Sequence, residues 1–436
     1  MSQNDKKFEV QLIEERYEKI VNEILDEVQK VPREHLTWSD ILDHVFLNKW
    51  LGIPIFIVIL WAMFQFVFTV SAPFMELIGM ATEAASEAIT NAVAGTETWL
   101  QILGSFFADG IIGGIGFLAS FIPLIFALYI FLSILEDSGY MSRAAFVMDR
   151  AMVKVGLHGK SFVPMLMGFG CNIPAIMACR TISDETDRKI TILINPLMSC
   201  GARLPVYTWI AATFFPLIAG TVIFSMYLLG IFLAIILALI FRKILFKSKP
   251  PAPFVIELPP YRSPTLKSTA IHMWEHGVIY VKRVYTILLG ASIIIWAITH
   301  FPWNAYISGN IQQTFAGVIG GWIAPVFYPL GFTAVESMGW IIGIALIFGF
   351  LAKELVAEVI GVTIGVSAMT LFTNPVIAYS FMAFTLIYVP CMACMGVLKS
   401  ELRSKKWFIF SMTYSFFLAY LVSFLISGIA FLGGII

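Results

Sequence analysis

The chain has 436 residues, 59% of them hydrophobic and only 13% charged, with a mean hydropathy of +0.85. Soluble domains carry about 25% charged residues, so this composition excludes a water-soluble globular protein and points to an integral membrane protein. The formal net charge is zero, which gives no basis for a nucleic-acid partner.

The basic residues fall in blocks. No Lys or Arg occurs between Lys49 and Arg143, or between Arg283 and Lys353, whereas 143–160, 242–283 and 399–406 are basic. By the positive-inside rule the basic segments face the cytoplasm and the two Lys/Arg-free loops face outward. The five cysteines, Cys171, Cys179, Cys200, Cys391 and Cys394, all lie in or beside apolar segments, so reduced thiols are expected and not a disulfide framework. The first seven residues lead into a charged helix and not an apolar run, so no cleavable signal peptide is expected and the first span targets the chain.

In chain order, Phe8, Leu12, Ile13, Tyr17, Ile20, Val21, Ile24, Leu25 and Val28 recur at helical spacing, which predicts an amphipathic helix of about five turns. A second short helix starts after Thr37-Trp38. The first span is expected at 51–75 and an acidic outward loop at 76–109. The chain returns inward over 110–135, ends at Glu136-Asp137, and continues as a basic amphipathic connector over 144–160. Gly159-Lys160-Ser161 ends like a phosphate loop, but Lys154 stands where the first glycine belongs and no strand precedes it.

Charge parity then decides the next segment. Both flanks of 161–181 prefer the cytoplasm, so this apolar stretch with Gly168, Gly170 and Pro174 is expected to be a re-entrant or broken helix. A span with its own break at 199–205 follows over 190–217, and 219–241 comes back in. The middle loop, 242–283, contains a stiff linker at Lys249-Pro-Pro-Ala-Pro253 and Pro259-Pro260, then an interfacial helix ending at Arg283. Later segments are expected at 285–299 outward and 340–351 inward to Lys353, Glu354 and Glu358. After 359–373 comes 376–398, broken at Tyr388-Val-Pro-Cys-Met-Ala-Cys-Met395, and a final helix over 407–432, whose end this parity puts outside. These boundaries divide the chain into 1–50, 51–241, 242–283 and 284–436. The fold class is all-α, a polytopic membrane protein with broken or re-entrant helices.

The two transmembrane halves echo each other, Pro174-Ala-Ile-Met-Ala-Cys179 matching Pro390-Cys-Met-Ala-Cys-Met395 in type. Paired Gly/Pro-interrupted segments in two halves point to a transport site near the bilayer midplane. A thiol or carboxylate at a helix break can replace the water shell of a cation, and thiolate favours soft or borderline metals such as Fe²⁺ over Na⁺ or Ca²⁺. The candidate metal ligands are Cys171, Asn172, Cys200, Glu354, Cys391 and Cys394. Buried cysteines also serve as small hydrophobes, and Cys394 and Cys179, further from the breaks, fit that role too. Arg203 is a candidate partner for a carboxylate, or an interface anchor. No catalytic triad or GTP-binding motif is legible, so a transporter is expected and not an enzyme.

At these residues the chain resembles the ferrous iron transporter B (FeoB) family. The carrying motifs are Gly168-Phe-Gly-Cys-Asn-Ile-Pro-Ala-Ile-Met-Ala-Cys-Arg-Thr181, Asp187-Arg-Lys with Pro196-Leu-Met-Ser-Cys-Gly-Ala-Arg-Leu-Pro-Val-Tyr207, and Tyr388-Val-Pro-Cys-Met-Ala-Cys394. Leu47-Asn-Lys-Trp-Leu-Gly-Ile-Pro54 resembles that family's approach to its first span. The resemblance implies two Gate-type halves, also called nucleoside-recognition domains, around an Fe²⁺ path in the cell inner membrane. It implies that Cys171 and Cys391 line the path, Fe²⁺ being cargo with no permanently bound cofactor. It further implies a GTPase, here expected as a separate cytoplasmic subunit docking on 1–48 and 242–283 because the chain opens with its own Met and polar helix. Small Feo accessory proteins are expected as partners, with an oligomer compatible. The alternatives are a Gate-domain transporter of another divalent metal or a nucleoside, and a non-transporting membrane scaffold.

Overall fold

The structure, a computed structural model, describes residues 43–44, 46–48, 51–246, 261–301, 313–332, 339–360, 371–372 and 374–432. The predicted amphipathic helix at 8–28 and the proline linker lie outside the described residues, as does most of 359–373. Every regular element among the described residues is helical, as expected where hydrocarbon offers the backbone no other hydrogen-bond partner. Among the described residues, five stretches are long and apolar enough to cross a bilayer: Pro54–Val93, Thr98–Gly116, Ala219–Phe246, Pro375–Leu402 and Lys405–Gly428. A sixth arises if Ile122–Asp137 and Tyr140–Asp149, bent by 79°, count as one.

Helix α1 (Gly52–Val93) corrects the expected loop at 76–109, because it runs 42 residues without interruption. Residues 76–93 are rich in Ala and Glu, strong helix formers, and contain no proline. Their acidic side chains therefore sit on a helix, which passes through α2 (Thr98–Ser105) and a π-helical stretch, Phe106–Gly113, into α3 (Gly114–Asp137). Gly139, at φ +78, then turns the chain sharply into α4 (Tyr140–Lys154). Arg143 staples this bend. It donates to the Gly139 carbonyl at 3.0 Å and to both carboxylate oxygens of Asp43, and it lies 3.7 Å from the Tyr261 ring centre.

The expected break in 161–181 is present. Helix α5 (Phe162–Gly170) stops at Cys171, whose backbone is extended at φ −152 and ψ 129, and α6 (Asn172–Ala178) resumes beyond it. Helix α7 (Glu185–Ile194) is capped by the Asp184 carboxylate, which accepts from the Asp187 N–H at 2.7 Å, and ends in a 3₁₀ turn, Asn195–Leu197. After 198–200 the chain re-enters a 3₁₀ turn, Gly201–Arg203, and α8 (Leu204–Phe214), then α9 (Ala219–Ile240).

Helix α10 (Leu266–His300) is a single element of 35 residues, where the sequence predicts an interfacial helix and a separate span. Nothing between Val281 and Tyr285 breaks a helix, so the basic pair Lys282-Arg283 is carried along it. There follow α11 (Phe315–Ile323), α12 (Gly339–Leu351), α13 (Leu355–Glu358), α14 (Pro375–Ile387), α15 (Met392–Leu402) and α16 (Lys405–Leu432).

Helices α1, α3 and α10 pack together on one side, while α11 with α12 and α14 with α16 form close pairs. Apolar side chains have no water to escape in a bilayer, so close backbone approach and polar contacts hold such pairs. A Cβ on Gly343 would lie 2.4 Å from the Gly320 carbonyl oxygen, so α11 and α12 approach as near as glycine allows. Ser380 and Ser423 bridge α14 and α16 reciprocally, each hydroxyl donating to the other's carbonyl at 2.9 and 3.1 Å.

Candidate functional site

Four interruptions in apolar helices come together in the core of the described residues: Cys171, 198–200, 352–354 and 388–391. Their order is the same in both halves. A helix broken early (α5/α6, α12/α13) is followed by one broken later (α7/α8, α14/α15) and then by an unbroken one (α9, α16). Contacts are reciprocal, with α6 packing on α15 and α13 on α8. By their order in the two halves the 388–391 break corresponds to 198–200 and the Cys171 break to 352–354, whereas the sequence matches 174–179 with 390–395. Structural position aligns Cys200-Gly-Ala-Arg203 with Cys391-Met-Ala-Cys394.

Three thiols stand at the breaks. Cys171 caps the start of α6, Cys200 precedes the 3₁₀ turn at 201–203, and Cys391 precedes α15. All three are half-buried, whereas Cys179 and Cys394 are fully buried. Cys171 lies within electrostatic range of Cys200, Cys391 and Glu354, and Cys391 within range of Cys200, Glu354 and Lys353. Among the described residues, no group of three or more His, Cys, Asp or Glu side chains is drawn together closely enough to hold a metal ion. The thiols are therefore neighbours at separate breaks and not a closed cage.

The other predicted ligands fall as follows. Asn172 is buried, and with its amide nitrogen turned inward it donates to the Gly168 carbonyl at 3.0 Å and to two Asn195 oxygens at 3.2 Å. Asn195 in turn donates to the Pro164 carbonyl at 3.0 Å. The two asparagines thus brace the first break against the second. Glu354 is half-buried between Lys353 and α13. Cys394 sits in the main apolar cluster, 1% exposed, one turn into α15.

A cavity of about 20 Å³ touches Cys171, lined by Val67, Phe68, Leu124, Leu128, Gly170 and Gly201 among others. That is room for about one water. Helices α1 and α3 thereby form an apolar wall over the first break.

Two buried cations hold the later breaks, and sequence reasoning missed this role for both. Arg203, 1% exposed, donates to the carbonyls of Met198 at 2.8 Å and Pro196 at 2.9 Å, and so fills neither of the two roles the sequence left open, carboxylate partner or interface anchor. Lys353, 3% exposed, donates to the Val389 carbonyl at 2.7 Å and more weakly to Tyr388 at 3.4 Å. Each cation satisfies backbone oxygens that a helix break releases. The signal available was a lone cation inside an apolar stretch.

The nucleoside recognition (Gate) family model matches 118–214 and 281–405, and the ferrous iron transport protein B C-terminus model matches 223–276. The Fe(2+) transporter FeoB of Methanocaldococcus jannaschii is 40% identical over 426 residues, covering 96% of this chain and 63% of the relative. The Fe(2+) transport protein A/Fe(2+) transporter FeoB fusion protein of Porphyromonas gingivalis is 38% identical, covering 97% of this chain and 55% of the relative. The Fe(2+) transporter FeoB of Staphylococcus aureus strain MSSA476 is 36% identical, covering 97% and 64%. The chain spans about three fifths of the length of the curated relatives it matches. No solved structure matches it. On the family models and these relatives together, the chain belongs to the FeoB family.

Proposed function

We propose that this chain is the membrane permease of a ferrous-iron uptake system in the plasma membrane, with Fe²⁺ as its cargo. The observation that carries the reading is the placement of Cys171, Cys200 and Cys391 at separate helix breaks within electrostatic range of one another. Fe²⁺ accepts mixed sulfur and oxygen ligands, and a break supplies both a thiol and released carbonyls. Conduction needs ligands strong enough to strip water and weak enough to let go. Neighbouring but unassembled thiols meet that requirement, with Cys171 and Cys391 as principal ligands and Cys200, Asn172 and Glu354 assisting.

The cytoplasmic side in this reading is the side of 1–48 and 242–283, where a separate GTP-binding subunit acts. Support for coupling there comes from Arg143, which ties Asp43 ahead of α1 and Tyr261 after the linker to the α3–α4 bend. The Porphyromonas gingivalis relative, named as a fusion with Fe(2+) transport protein A, supports a small Feo accessory protein as a further partner. The deciding experiment is anaerobic Fe²⁺ uptake into proteoliposomes holding the purified chain, with and without a GTP-binding partner. Wild type is expected to take up Fe²⁺ and Cys171→Ser to lose most of that flux. Equal flux in the two would refute the cysteine path.

A further inference from the structure

The amine of Lys353 stands in an apolar core, where an unpaired ammonium is very costly. Among the described residues, its hydrogen bonds and ring contact lie at the break ahead of Cys391: two carbonyl oxygens and the Tyr388 ring, whose centre is 3.1 Å from Nζ. Those oxygens belong to Tyr388 and Val389, 35 and 36 residues further along the chain. The cation of one break in the second half therefore fills the other break of that half.

The first half does this differently. Arg203 folds back on its own segment, five and seven residues away, and forks onto two carbonyls. A planar guanidinium held by both arms is a fixed strut, while an ammonium on a flexible four-carbon stem is a movable point charge. Carbonyl oxygens beside a thiol are also what a divalent ion takes as ligands. An ion arriving at Cys391 must meet the Lys353 ammonium as a competitor for the Val389 oxygen and as a like charge.

We propose that Lys353 is a surrogate cation at the 388–391 break: it occupies the released oxygens until Fe²⁺ displaces it, and its return helps expel the ion. It is a positioning residue, not a ligand, and it sets affinity against release. This rests on the reading of the chain as an Fe²⁺ permease.

The test uses the purified full chain under anaerobic conditions, with Fe²⁺ binding followed by calorimetric titration and Fe²⁺ flux in proteoliposomes. Lys353→Met frees the oxygens and removes the like charge, and Lys353→Gln removes the like charge while leaving at most a weaker, neutral N–H donor on a shorter stem. Each is expected to bind Fe²⁺ about tenfold more tightly and to turn over about tenfold more slowly, so that KM and kcat fall together. Lys353→Arg keeps the charge and is expected to bind Fe²⁺ no more tightly than wild type, since a guanidinium is at least as hard to displace. Unchanged or weaker binding in the neutral variants overturns the proposal. So does failure of both neutral variants to fold when Lys353→Arg runs monodisperse on size exclusion, because the lysine is then a strut. Wild-type protein that binds Fe²⁺ but moves none refutes the permease reading, while the titration still decides the role of Lys353.

Discussion

A thiol in an apolar helix is either a ligand or a filler, and its surroundings separate the two. Cys171, Cys200 and Cys391 are half-buried at chain breaks, while Cys179 is fully buried and donates to the Ala175 carbonyl at 3.4 Å, which occupies it as a packing residue. Cys171→Ser and Cys391→Ser are expected to lower anaerobic Fe²⁺ uptake by about tenfold or more, because an alcohol is a poor substitute for thiolate toward a borderline metal. Cys179→Ser is expected to stay within about twofold of wild type in the same assay. Arg203 makes a different prediction, on stability. Arg203→Met leaves the Met198 and Pro196 oxygens without their charged donor, at a cost of about 3 kcal/mol measured by thermal unfolding in detergent. A loss below about 1 kcal/mol would show that the break holds itself without the guanidinium. That Cys171, Cys200 and Cys391 stand at breaks was legible in sequence because each lies beside Gly or Pro, a local signal. The carbonyl partners of Arg203 were not, because a side chain's choice between a carboxylate and a released backbone oxygen depends on the fold around it.

Among the helices, the breaks were easier to foresee than the continuities. Gly170, Pro390 and the 199–205 stretch mark interruptions that the structure contains, since each residue acts on the hydrogen-bond ladder where it stands. The long runs of α1 and α10 were cut too short by a reading that let charge end a helix. Charge alone does not break a helix when propensity is high; it only sets which face points where. The α3–α4 bend shows how elements are tied together. Arg143 is 1% exposed and its Asp43 partner about one-fifth exposed, so removing the carboxylate strands a buried guanidinium. Asp43→Ala is expected to cost about 3 kcal/mol, read as a lower melting temperature of the detergent-purified chain. If Arg143→Met with Asp43→Ala costs as much again as the single change, the two residues are not acting as a pair.

Across the whole molecule, sidedness is the testable consequence of the charge blocks. Single cysteines introduced within 247–260 of a chain with its native cysteines otherwise replaced are expected to react with a membrane-impermeant maleimide only from the cytoplasmic face, and those within 302–312 only from outside. Labelling of both segments from one side would overturn the orientation and move the proposed GTPase surface with it. Sequence by itself determined the membrane class, the helical architecture, three of the four breaks and the family, because composition, Gly/Pro interruption and contiguous motifs are all written within short windows of the chain; the break at 352–354 carries no Gly or Pro and was not foreseen. Only the tertiary structure decided which breaks face each other, that α6 meets α15 while α13 meets α8, and that Lys353 and Arg203 serve backbone oxygens in the core. Those pairings join residues far apart in sequence through packing geometry, and no local pattern carries that information.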